Sequence, residues 1–166
     1  HDCIKSITDE IEIIVVENSG NKDFVTELEN KYKNVRCILS SKNLGMGAGN
    51  NLGLRHIKTD YALILNPDVV LEKDTIKEMV IASKIIKSFG IMAPISDDKN
   101  NPNYKVSKKE FSLENNKPFK VESVDGFAML LNLKKIQQLN DFKDQNLFDE
   151  NIFLYLENDD LCKRIS

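Results

Sequence analysis

Short runs rich in β-branched and apolar residues recur along this chain, separated by stretches with helical spacing, and that alternation restricts the fold more than any other feature. Residues 11–16 (IEIIVV), 35–39 (VRCIL), 61–65 (YALIL) and 90–95 (GIMAPI) read as strands, each too short to be an isolated helix. Between the first two, Phe24, Val25, Leu28 and Tyr32 recur at helical spacing over 22–32. A glycine-rich bend at 43–49 (NLGMGAG) leads into a helix ending near Ile57. Asp74 is placed to cap a further helix reaching about Ser88, whose stripe is Ile76, Met79, Val80, Ser83 and Ile86. Connections long enough to hold a helix favour a mainly parallel mixed sheet with helices on both faces, an α/β fold. Ligands of such folds gather at the carboxyl ends of the strands.

The pattern dissolves between 96 and 117 into polar text such as DDKNNPNYKVSKKE, expected to be a mobile loop near an acceptor site. It resumes with 121–125, an apolar strand at 127–133 (FAMLLNL), a short helix and an acid-rich segment from 148 to 166. The 166 residues suffice for one domain, with a nucleotide-binding half over about 1–95 and an acceptor-side half over about 118–166. Leu161 and Ile165 belong to a helix that has barely begun to bury its stripe, so the expectation is a partial domain, truncated at both ends.

Several function classes are excluded at this stage. The formal net charge is −3, and acids interrupt the lysine-rich stretches, so the electrostatic footprint of a nucleic-acid binder is missing and phosphate recognition has to be local. No apolar stretch approaches the ~20 residues that span a bilayer, which points to a cytoplasmic setting, the inner face of the membrane included. Cys3, Cys37 and Cys162 lie far apart without a CxxC pair, against a zinc knuckle or a disulfide framework.

Two constellations carry chemistry. Asn66-Pro67-Asp68 follows YALIL directly, which sets the Asp68 carboxylate at a strand's carboxyl end, where Mg²⁺ or Mn²⁺ can bridge it to a diphosphate. The same tripeptide is also an ordinary turn. The second is Phe148-Asp149-Glu150 followed by 156–161 (LENDDL). If Asn158 caps a helix, Asp159 and Asp160 merely complement its dipole; alternatively Glu157 or Asp159 is a general base for an acceptor hydroxyl. Helical spacing puts Glu157 on the face of Leu161 and turns Asp159 toward Lys163, which ranks Glu157 first. The glycines at 45, 47 and 49 are spaced GxGxG rather than GxGxxG, which disfavours a dinucleotide-dependent oxidoreductase.

Taken in order, VVENSG, NLGMGAGNNLG, LILNPDV, VDGFAMLL and FDENIFLYLENDDLCKR resemble family 2 glycosyltransferases, especially the rhamnosyltransferase-like bacterial branch. The resemblance spans nearly the whole chain. It implies a GT-A fold and an inverting transfer, without a covalent intermediate, from a nucleoside-diphosphate sugar to a saccharide or lipid-linked saccharide in cell-surface polysaccharide synthesis. By position it implies Glu17 and Asn18 beside the base or ribose, Asn43, Gly45 and Asn50 at the nucleotide, and Asn66 with Asp68 in the metal motif. Asp125 and Gly126 fall beside the donor sugar and acceptor. Two departures stand out. Asn158 occupies the place where the branch usually has its presumed base, and nothing before Ile11 matches the family's opening central strand, so backbone groups are expected to go unpaired. The rival expectation is a non-catalytic sugar-nucleotide-binding or assembly module with a degenerate active site.

Overall fold

The computed structural model describes residues 1–166 except 9, 107–116, 140, 141 and 143–145. Its first half alternates as read from the sequence: α1 (Asp2–Lys5), β1 (Ile13–Glu17), α2 (Lys22–Lys31), β2 (Val35–Leu39), α3 (Gly45–Leu54), β3 (Tyr61–Leu65), α4 (Thr75–Ile85) and β4 (Ile91–Met92). Short strands β5 (Tyr104–Lys105) and β6 (Ser123–Val124), then β7 (Ala128–Asn132), α5 (Leu133–Ile136) and α6 (Glu157–Ile165), complete it. β1 and β2 pair in parallel, Ile13 opposite Val35 through Glu17 opposite Leu39. β7 runs antiparallel between β3 and β4, which therefore point the same way. Among the described residues no ladder joins β1 to β3, so the two pairings form separate sheets.

The core sits on β7, all five of whose residues are buried, and its alternation serves both faces. Met129 and Leu131, with their partners Ile64 and Ala62 on β3, face Ile136 of α5, Phe148, and Leu161 and Cys162 of α6. Leu130 points the other way, with Leu63, toward Met79 and Ile86. Helices therefore cover both faces of this sheet, as the two-sided apolar run FAMLLNL requires. Truncating the fully buried Leu131 to Ala costs about 2–5 kcal/mol by loss of transfer energy and the cavity left behind.

Three details depart from the sequence reading. The glycine-rich segment is already helical from Gly45, so Gly47 and Gly49 pack inside α3 and do not form a bend ahead of it. Asp74 occupies the predicted cap position without a side-chain hydrogen bond. The polar stretch after Ser96 contributes β5, paired with β6; residues 107–116 of the expected loop lie outside the described residues. No helix among the described residues is long and apolar enough to cross a membrane.

Candidate functional site

The end of β1 and the start of α3 are clipped together by short polar side chains. Asn18 accepts from the Leu44 N–H at 2.9 Å and donates to the Gly45 carbonyl at 3.1 Å and to Asn43 Oδ1 at 3.2 Å. Asn43 in turn accepts from the Gly45 N–H at 2.9 Å. Gly45 has φ of +80°, and an added Cβ would collide with the Phe153 carbonyl, so only glycine fits. Glu17 is buried and turned back on its own loop: its carboxylate accepts from the Asn21 N–H at 2.7 Å, the Ser19 hydroxyl at 2.5 Å and the Ser19 N–H at 3.1 Å. The Ser19 hydroxyl, followed by these backbone donors, holds the Glu17 carboxyl below its ordinary range. Asn50 is half-buried on α3.

The acid-rich segment docks on this helix. Met46 N–H donates to the Phe153 carbonyl at 3.3 Å, and Gly47 lies against Phe148, so the small residues of α3 let the 148–153 loop approach closely. Asn51, fully buried, fixes that loop as a surrogate strand: its amide donates to the Phe148 carbonyl at 2.9 Å and accepts from the Phe148 N–H at 3.0 Å. The sequence reading named Asn50 and missed Asn51. The distinguishing signal is the i, i+4 relation of Asn51 to Gly47, which puts both on the face that meets Phe148.

Four of the five acids in this segment have partners. Asp149 caps its own turn, accepting from the Asn151 N–H and side chain, which lowers its pKa. Glu150 takes Arg55 at 3.0 Å and Asn51. Asp160 pairs with Arg164 at 2.7 Å. Asp159 receives both bonds of Lys105, at 2.8 and 3.0 Å, and does not turn toward Lys163; the Lys105 ammonium, ahead of a Ser123 hydrogen bond, holds its carboxyl below the usual range. Lys105 comes from polar text whose spacing gave no hint of it. Glu157 differs: it is 3% exposed, and its Oε2 is buried with no hydrogen-bond partner among the described residues. It lies in the first turn of α6, against the core residue Leu161, as its spacing predicted.

Asn158 is not the cap of α6. Leu156 holds that position, in the left-handed region, and Asn158 is the second residue of the helix, donating to the Val124 carbonyl at 2.8 Å. Its Cβ borders Gly126, where an added Cβ would also meet Met46 at 2.8 Å. The Asp125-Gly126 turn is thereby wedged between the first turns of α3 and α6. Asn66 joins it from β3 through its N–H to the Phe127 carbonyl at 2.9 Å. Asp68, two residues on, is exposed.

The structure thus gathers Asn18, Asn43, Gly45, Gly126 and Glu157 around two helix N-termini, with Asn66 and Asp125 at the paired ends of β3 and β7 and Asp68 in the exposed turn after β3. Two open cavities, of about 380 and 500 Å³, lie elsewhere, one between Phe148 and Arg164 and the other between α1 and Leu71, and neither is lined by Glu157, Asp125 or Asp68. Among the described residues no three His, Cys, Asp or Glu side chains cluster as a metal cage. An exposed lone carboxylate suits a hard divalent ion that arrives with phosphate oxygens and keeps several waters.

Comparison with known proteins fits this geometry. The family model described as glycosyl transferase family 2 matches residues 1–139. The chain is 25% identical over 174 aligned positions to the low-salt glycan biosynthesis hexosyltransferase Agl10 of Haloferax volcanii, which covers 92% of this chain and 52% of that protein. The chain thus spans about half the length of this curated relative. Its fold superposes with a TM-score of 0.65 on the mannosyltransferase PcManGT from Pyrobaculum calidifontis, a structure in complex with GDP-Man and Mn²⁺, over 99% of this chain and 46% of that one, at 14% identity. The architecture is therefore that of a GT-A glycosyltransferase.

Proposed function

The chain belongs to glycosyl transferase family 2, and on that premise we propose that it carries the reacting face of an inverting glycosyltransferase. The donor is a nucleoside-diphosphate sugar and the acceptor a saccharide or lipid-linked saccharide, with rhamnosyl or another hexosyl transfer into a bacterial cell-surface polysaccharide as the specific setting. The single observation that carries this reading is Glu157: its neighbouring acids are partnered, whereas its buried Oε2 has no donor among the described residues. A buried carboxylate oxygen left without a partner costs stability unless something else meets it, and an acceptor hydroxyl is such a partner.

In this scheme Glu157 takes the proton of the acceptor hydroxyl. The freed oxygen forms a bond to the anomeric carbon from the face opposite the diphosphate. The bond from that carbon to the phosphate oxygen breaks, and the nucleoside diphosphate leaves with the electron pair. Asp159, neutralised by Lys105, is the poorer base. Asn18, Asn43 and Gly45 form the rigid wall against which the nucleotide rests, and Gly126 leaves room for the sugar. Asp68 would hold Mg²⁺ or Mn²⁺ on the diphosphate, where the ion offsets the charge of the leaving group. Asn158 favours the rival reading of a degenerate, non-catalytic module, because an amide stands where the resemblance leads one to expect an acid; with Glu157 one residue away, loss of the base does not follow.

The test is a thermal-shift screen of the intact protein against UDP-, dTDP- and GDP-sugars with and without Mn²⁺, repeated on Asp68→Ala. A shift with one nucleotide, strengthened by metal and losing its metal dependence in Asp68→Ala, is expected. No shift with any donor overturns the reading; binding without sugar transfer selects the non-catalytic module.

A further inference from the structure

Asn103 is fully buried, sits in the left-handed region with φ of +72°, and carries a side-chain oxygen that meets no donor among the described residues. Its amide stands in for a missing strand donor. β4 and β7 pair with Ile91 opposite Leu131 and Met92 opposite Leu130, and the Asn132 N–H reaches the Gly90 carbonyl at 2.9 Å. Continued along the strands, that register sets Pro94 opposite Ala128, at a position where the two residues would exchange hydrogen bonds. Proline has no N–H to give. The Asn103 amide fills the place, donating to the Ala128 carbonyl at 3.0 Å and to the Pro94 carbonyl at 2.9 Å. Because both neighbours are acceptors, the nitrogen and not the oxygen must face them.

We propose that Asn103 is a positioning residue for sugar transfer, fixing where the Asp125–Gly126 turn stands relative to Glu157. The proposal rests on the glycosyltransferase reading with Glu157 as base, and adds a residue that acts through others. Its bonds reach both ends of the turn: the Asn103 carbonyl accepts from the Asp125 N–H at 3.4 Å while its amide holds Ala128. Between those ends Gly126 lies against Asn158, the residue after Glu157. From Asn103 the chain runs directly into β5, whose Lys105 binds Asp159 in the first turn of α6 at 2.8 Å. One residue therefore braces the turn and leads to the ion pair on the helix that carries Glu157. Cost argues in the same direction. A left-handed side chain and a buried oxygen without a donor both lower stability, and an ordinary residue in place of Pro94 would pair with Ala128 without either. Such costs persist where a geometry is held for function. Asn103 bonds none of Asn18, Asn43 and Gly45, the wall for the nucleotide, so releasing the turn displaces the sugar and spares donor affinity.

The experiment measures release of nucleoside diphosphate from UDP-glucose, dTDP-rhamnose and GDP-mannose with Mn²⁺ by the intact protein, water taking the place of the acceptor hydroxyl. Asn103→Gly allows the left-handed backbone but removes the amide. It is expected to lower kcat about 10- to 100-fold with the donor KM within about threefold, because misplacement on the order of 1 Å costs rate without costing binding. Asn103→Asp keeps the side chain's shape and its tolerance of that backbone but turns an oxygen toward the Pro94 and Ala128 carbonyls, and an equal or larger loss is expected. Leu28→Ala, which opens a cavity under the buried face of α2, is the stability control: it lowers Tm and is expected to leave kcat within about twofold of wild type below its transition. The proposal is overturned by kcat within about threefold of wild type in both Asn103 variants, by a loss confined to KM, or by an equal loss in Leu28→Ala. Failure of both Asn103 variants to unfold cooperatively also overturns it, since the residue then serves the core alone. A wild type with no donor-induced thermal shift or no release counts against the glycosyltransferase reading; release by wild type with kcat kept in the variants counts against this inference alone.

Discussion

The first turns of α3 and α6 lie at the same end of the molecule and are built in opposite ways. At α3, Leu44, Gly45 and Met46 each give their N–H to an oxygen supplied by Asn18, Asn43 or Phe153, and Glu17 nearby spends its carboxylate on its own turn. At α6 the cap is a leucine in a left-handed conformation with no side-chain bond, and the first residue is an acid whose buried oxygen has no partner among the described residues. One region is satisfied and the other is not. A satisfied loop makes a preformed wall, while unmet polarity and backbone strain tend to persist where function requires them. On the proposed function, the contrast corresponds to donor positioning at α3 and chemistry at α6.

The sharpest way to break the contrast is at the joint between the two regions. Asn51→Ala leaves the buried N–H and carbonyl of Phe148 unpaired and is expected to cost about 3 kcal/mol in urea unfolding. A loss below about 1 kcal/mol would mean that the 148–153 loop is held by its own packing. Next, Asn158→Asp puts a carboxylate against the Val124 carbonyl in place of a donating amide, and about 2 kcal/mol of stability should go at neutral pH, less as the acid protonates. If the aspartate is tolerated, the amide has no role in seating α6. A smaller effect follows from Lys105→Ala, since that pair is partly exposed: about 0.5 kcal/mol, with the Asp159 carboxyl rising toward its ordinary range in an NMR titration. Smallest is the acid limb at Glu17. Its folded pKa is depressed, so its contribution is complete above its ordinary value of 4.5 and is lost as pH falls through the lower folded value. Glu17→Gln should therefore flatten the stability curve below pH 4.5 and leave unfolding at higher pH without that dependence.

The two regions also differ in how far the sequence revealed them. Val35–Leu39 and Tyr61–Leu65 were legible to the residue because a short apolar run between turn signals has few other outcomes. Glu157 was legible for a related reason, since its four-residue spacing to Leu161 commits it to the buried face of any helix formed there. Partnerships across the chain were not legible. Asn51 with Phe148 and Lys105 with Asp159 are separated by 97 and 54 residues, and no local period encodes them. The glycine segment misled because GxGxG punctuates like a loop, whereas here the missing side chains admit the 148–153 loop to the surface of a helix. The left-handed backbone at Tyr155 and Leu156 was invisible for the opposite reason: tertiary contacts impose it on residues that disfavour it.

The division of labour is tested most directly by comparing kcat for sugar transfer in Glu157→Gln and Asp159→Asn, with the donor-induced thermal shift measured on both. Glu157→Gln is expected to lose about 10²–10⁴ in kcat with the donor shift intact, and Asp159→Asn less than tenfold. A Glu157→Gln protein within tenfold of wild type, or an equal collapse in Asp159→Asn, would contradict the account and return the base to the residue paired with Lys105.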